Sequence, residues 1–158
     1  MNLYTSLFYM FTISVIISYF SMPIIISNKS YITWNLNKFY AALLMGWLMA
    51  LSELFMHSEH LDSCSLIILI IILGACSIYT IFLIKNQDYI GEKQFYKSMI
   101  EHHAMAVSMS EQLMGKPEIS DQAIKLAHSI IKSQKQEIEL MKNLLANESN
   151  NKKKIVIK

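Results

Sequence analysis

Residues 1–28 carry no charged side chain, Phe39 to His57 is interrupted only by Glu53, and Ser63 to Ile84 is uncharged between Asp62 and Lys85. A helix needs roughly 20 apolar residues to cross a bilayer, so this pattern predicts three spans within a transmembrane region over residues 1–86. A signal peptide would need a basic start, a shorter apolar core and a small-residue cleavage site, and residues 1–28 offer none of these. Pro23 is expected to kink or end the first span. The segment from His57 to Cys64 is short and acidic, which predicts a tight antiparallel pairing of the second and third spans.

Beyond Lys85 the period changes. Phe95, Met99, Ala106, Met109 and Leu113 recur at helical spacing, the stripe of an amphipathic helix. Gly115 and Pro117 punctuate the chain, and Pro117 suits the first turn of a second helix. Its stripe runs Ala123, Ala127, Ile130, Ile131, Ile138, Met141 and Leu145. Residues 87–147 therefore read as a helical hairpin, and the polar, Lys-rich residues 148–158 as a disordered tail. The fold class is all-α: three transmembrane helices followed by an amphipathic helical hairpin. Two helices burying one stripe each rarely make a sufficient core. The hairpin is thus expected to form a homo-oligomer by closing a four-helix bundle, with docking on the membrane helices as the alternative.

Composition sharpens this division. Of the 158 residues, 53% are apolar and 16% charged, against roughly 25% charged in a soluble domain. Only Lys29, Lys38, Glu53, Glu59 and Asp62 supply charge before residue 85, so the bilayer is the expected surrounding of the first half. The net charge is +2 and every basic residue is Lys. Without the Arg fork that reads guanines and phosphates, nucleic acid is excluded as the expected partner. Cys64 and Cys76 fall on one predicted helix about 18 Å apart, too far for a disulfide. Three spans put Lys29, Lys38, Lys85, Lys93 and Lys97 on one side, and the positive-inside rule makes that side, with the C-terminal half, cytoplasmic.

Candidate chemistry lies among polar residues on the hairpin's apolar stripes. His102 and His103 flank the line of Met99 and Ala106, and Gln134 and Glu137 interrupt the second helix. An antiparallel pairing brings the four within reach of one another. With Met105 and Met109 they offer imidazole, thioether and carboxylate donors, a mixture suited to copper. Adjacent side chains diverge by about 100° on a helix, so the two His cannot readily share an ion. His102, with Met105 and Met109 on its side, is the expected primary ligand, and His103 is expected to bond to Gln134 or Glu137. A second stripe, Met45, Met49, Glu53, Met56, His57 and His60, is a secondary candidate within the second span, where a carboxylate is costly and usually has a partner.

The strings MIEHHAMAVSMS (99–110) and IIKSQKQEIELMKNLL (130–145) resemble the two signature blocks of domain-of-unknown-function family 305. NLNKFYAALLMGWLMALSELFMH (35–57) resembles the Met-rich second span of its membrane-anchored members. The resemblance implies a ferritin-like half bundle and, for some relatives, copper binding, with His102, His103, Met105, Met109, Gln134, Glu137 and Met141 at motif positions. Glu101 departs from the pattern, since relatives commonly have Pro there; a helix start or kink is expected to be lost. Relatives also carry basic residues in the loop corresponding to 57–64, which implies an extracytoplasmic hairpin and opposes the Lys count. The expected function is a multi-pass membrane protein that binds copper for storage, delivery or resistance. The alternative is a non-catalytic membrane protein whose hairpin mediates self-association or partner binding, with a structural His pair. An enzyme ranks below both, because paired Glu-x-x-His units and HExxH are absent.

Overall fold

The computed structural model describes residues 2–156, the side chains of His60 and of residues 149–156 excepted. The described residues form five α-helices and short 3₁₀ turns, with no strand: α1 (Leu3–Ser21), α2 (Leu36–Met56), α3 (Ser63–Asn86), α4 (Glu92–Met114) and α5 (Asp121–Val156). They divide into two compact units. The first holds α1, α2 and α3; the second holds α4, α5 and the 23–35 connection between α1 and α2.

In the first unit, three helices are long and apolar enough to cross a membrane: Leu3–Ile25, Leu36–Met56 and Ser63–Asn86. The first span runs past α1 through a 3₁₀ turn, Met22–Ile25, in which Pro23 ends the α-helical part. Asn2 caps α1 by accepting from the Tyr4 N–H at 2.8 Å. Asp62 caps α3, its Oδ2 3.0 Å from the Ser65 N–H, and that bond holds the carboxyl below its ordinary range. Helix α2 packs against both α1 and α3, as the short 57–62 connection requires. Its face toward α1 is made of small residues, Ala42, Gly46 and Ala50, all buried. This spacing of small side chains lets two helices approach closely. A Cβ on Gly46 would stand 2.5 Å from Val15 Cγ2 and 3.0 Å from Phe11 Cδ2. Beside it the rings of Phe11 and Trp47 stack with centroids 4.2 Å apart. Phe8, Ile13, Ile17, Ile68, Ile71 and Phe82 are exposed on α1 and α3, as side chains meant for lipid should be.

In the second unit α4 and α5 pair as a hairpin, and the 23–35 connection supplies a third layer. Its Ile26 joins Ile100, Ala104 and Val107 of α4 and Ile138 and Met141 of α5 in one buried cluster, with Ile25 and Tyr31 packed against it. The Ser27 N–H donates to Ser108 Oγ at 2.9 Å. Thr33 donates its N–H to Glu101 Oε1 at 2.6 Å and its hydroxyl to the Lys97 carbonyl at 2.8 Å. Asn35 Nδ2 donates to Glu101 Oε2 at 2.9 Å. Lys142 on α5 lies over the Tyr31 ring, 4.5 Å from its centroid. Chain on the two sides of α2 and α3 in the sequence thus meets in one core.

Several expectations are corrected. Helix α5 starts at Asp121, with Ser120 Oγ accepting from the Ala123 N–H at 3.2 Å; Pro117 lies in the turn before it, next to Glu118 at φ 77°. The helix continues to Val156 rather than ending near Asn147, since residues 148–156 contain no Gly or Pro to stop it; residues 157–158 lie outside the described residues. The stripe expected to form the core side of α4 is largely turned outward. Phe95, Met109 and Leu113 are 46%, 56% and 37% exposed, whereas Ile100, Ala104 and Val107 are buried. The third layer explains this, because it draws the core toward the face bearing Glu101 and Ser108. Helix α4 passes through Glu101 without interruption, as a residue with a free N–H permits where Pro would not.

Candidate functional site

Helix α4 presents His102 and His103 on different flanks. His103 turns toward α5, and its Nδ1 stands 2.9 Å from Glu137 Oε2, with the His side chain 12% and the Glu side chain 51% exposed. Nδ1 is itself buried and has no aligned hydrogen-bond partner, so the carboxylate oxygen is close without lying along the direction of a ring N–H. The contact is a close approach of an imidazole nitrogen and a carboxylate oxygen rather than a well-formed hydrogen bond. His102 is exposed, as the divergence of adjacent residues requires.

The remaining motif residues do not gather around this pair. Met105 is half-buried and packs against the core cluster, which separates it from Met109, 56% exposed. Met141 lies within the cluster itself, on the α5 face one turn beyond Glu137. Gln134 is half-buried one turn before Glu137. Among the described residues no three His, Cys, Asp or Glu side chains converge on a point that a metal could occupy. The seven motif residues thus divide into a paired contact across the hairpin, His103 with Glu137, two thioethers drawn into or against the core, a half-buried Gln134 beside the pair on α5, and an outer edge bearing His102 and Met109.

The stripe in α2 divides as well. Glu53 is buried and accepts from the Ser6 hydroxyl of α1, and His57 Nδ1 lies 3.5 Å from its Oε1. Met45, Met49 and Met56 are exposed and do not turn with Glu53 toward α1; the His60 side chain lies outside the described residues. The expectation that Glu53 has a partner is met by Ser6, one helix away, and by His57 on the following turn. Cys64 and Cys76 are free thiols on α3.

Glu101 is the residue of the hairpin whose structural role the sequence did not reveal. It is 5% exposed and receives the backbone of Thr33 and the amide of Asn35. A signal existed: a carboxylate directly before a His pair, on a helix otherwise expected to bury its neighbours, needs donors, and the 28–38 loop is where polar donors occur.

The family model described as Domain of unknown function (DUF305) matches residues 91–155, a span covering all of α4 and all but the last residue of α5. An uncharacterized protein of Acanthamoeba polyphaga mimivirus is 38% identical over 114 residues, 70% of this chain and 71% of that protein. No solved structure matches. With this family match and this relative, the chain belongs to the DUF305 family.

Proposed function

We propose that this is a membrane-anchored metal-binding protein whose hairpin takes a soft or borderline transition-metal ion, copper, for binding, storage or resistance. The observation that supports the reading is His103 Nδ1, buried without an aligned hydrogen bond and 2.9 Å from Glu137 Oε2. Two atoms that each lie 2.0–2.2 Å from one cation stand about 3 Å apart, so the pair has the separation of neighbouring ligand atoms. An imidazole nitrogen suits copper among the transition metals. On this geometry His103 takes over the primary role that the sequence gives to His102, and His102 with Met109 becomes a separate, exposed donor edge.

The test is titration of the full chain in detergent with Cu(I) and Cu(II) against a competing chelator, in a Cys64→Ser/Cys76→Ser background that removes thiol binding. Stoichiometric uptake that falls at least tenfold in affinity in His103→Ala and in Glu137→Ala, and less in His102→Ala, supports the proposal. Equal uptake by all variants refutes it. If His103→Ala lowers thermal stability without changing metal uptake, the pair serves only to hold the hairpin together.

A further inference from the structure

The hairpin carries two seams of heptad spacing on its outer surface. On α4 the residues Phe95, Met99, His102, Ala106, Met109 and Leu113 follow steps of four and three, and on α5 Leu126, Ile130, Ser133, Glu137, Leu140 and Leu144 follow the same steps. Such spacing is what a helix uses to pack along another helix. Apart from Met99, which packs against the core, the seams lie largely outside it: Leu126, Leu140 and Leu144 are 62%, 60% and 38% exposed, alongside the exposed Phe95, Met109 and Leu113. The contact of His103 with Glu137 marks the flank of the hairpin on which both seams lie. The 23–35 connection covers the other flank, through Glu101, Ser108 and Lys142.

We infer that this face binds a second copy of the chain, closing two hairpins into a four-helix bundle. The six exposed apolar side chains present on the order of 500 Å² per copy, in the range of the largest patches on monomers, which are often functional. With the half-buried and polar seam residues added, the face approaches the roughly 800 Å² per partner of a standard interface. The two seams are also complementary. Each has apolar ends and a polar centre, His102 on α4 and Ser133 with Glu137 on α5. A two-fold arrangement sets the α4 seam of one copy on the α5 seam of the other and does so twice, so that imidazole meets carboxylate or hydroxyl and apolar ends meet each other.

A bilayer surface is the competing occupant. Helices that lie on lipid carry Lys on the polar side of their apolar face to meet headgroups, and two such Lys of α5 are instead engaged within the hairpin. Lys135 pairs with Glu111 at 2.9 Å and Lys142 covers Tyr31. A carboxylate at the centre of the face is likewise unsuited to lipid. The inference does not depend on metal binding, and its test is run in chelator so that the two stand or fall separately.

The experiment is sedimentation of the full chain in density-matched detergent with EDTA, at 1–50 μM, with helicity followed by circular dichroism. The wild type is expected at twice the chain mass. Met109→Glu on α4 and Leu126→Gln on α5 should each weaken association at least tenfold with helicity retained, because both side chains are already exposed. Lys132→Glu, off the seams, should associate as wild type does. A monomeric wild type overturns the inference, and so does a dimer that both seam variants leave unchanged, since it must then form through another surface.

Discussion

Replacing Glu101 with Ala should release the 23–35 connection from the hairpin while leaving both helices formed. The carboxylate accepts from the Thr33 N–H at 2.6 Å and from Asn35 Nδ2 at 2.9 Å, and both Glu101 and Asn35 are 5% exposed. Hydrogen bonds to a charged group are each worth about 1.5–3 kcal/mol. Thr33 is only half-buried, so water recovers part of its loss, and the net cost is about 2–4 kcal/mol. At 1.4 kcal/mol per factor of ten, opening of the connection should become roughly 30–700 times more frequent. Glu101→Gln keeps one acceptor oxygen and should cost about half as much. The assay is amide hydrogen exchange of the full chain in detergent. The Thr33 and Ser27 amides should exchange faster by that factor in Glu101→Ala, and amides in the middle of α1 should not change. Thr33 exchange within twofold of wild type would show that the bonds drawn here contribute nothing to holding the third layer.

Two further outcomes follow from the membrane unit. Gly46→Ala should destabilise the α1–α2 pair by about 1–3 kcal/mol, the usual cost of overpacking, because its Cβ would meet the stiff Val15 side chain at 2.5 Å; unfolding in mixed micelles as SDS is raised measures this, and an unchanged midpoint counts against the close approach. Ser6→Ala removes the hydroxyl that donates to Glu53 and should cost about 0.6–1.7 kcal/mol, the range of polar contacts between membrane helices. In Glu53→Leu the same substitution at Ser6 should then have no additional effect, and a full additional loss would show that the two are not coupled.

The sequence alone determined what each segment's own periodicity and charge encode. Three long apolar runs, with Glu53 as the one charge among them, are suited to a setting where backbone groups are satisfied within a helix and side chains face lipid, and the structure has those helices within a few residues of the expected bounds. The hairpin followed from 3.6-residue periodicity and a Gly-Pro turn, and the contact between His103 and Glu137 from the register that turn imposes. Tertiary structure decided which of the possible faces is buried. A helix with apolar residues on two adjacent faces can bury either. On α4 the Ile100, Ala104 and Val107 face was chosen because Ile26 and the donors of Thr33 and Asn35 arrive from a segment 65 or more residues earlier in the chain. That partner is nonlocal, so no pattern within α4 could reveal it. The same choice pulled Met105 toward the core, left Met109 outside, and so separated donors that spacing along a single helix had placed together.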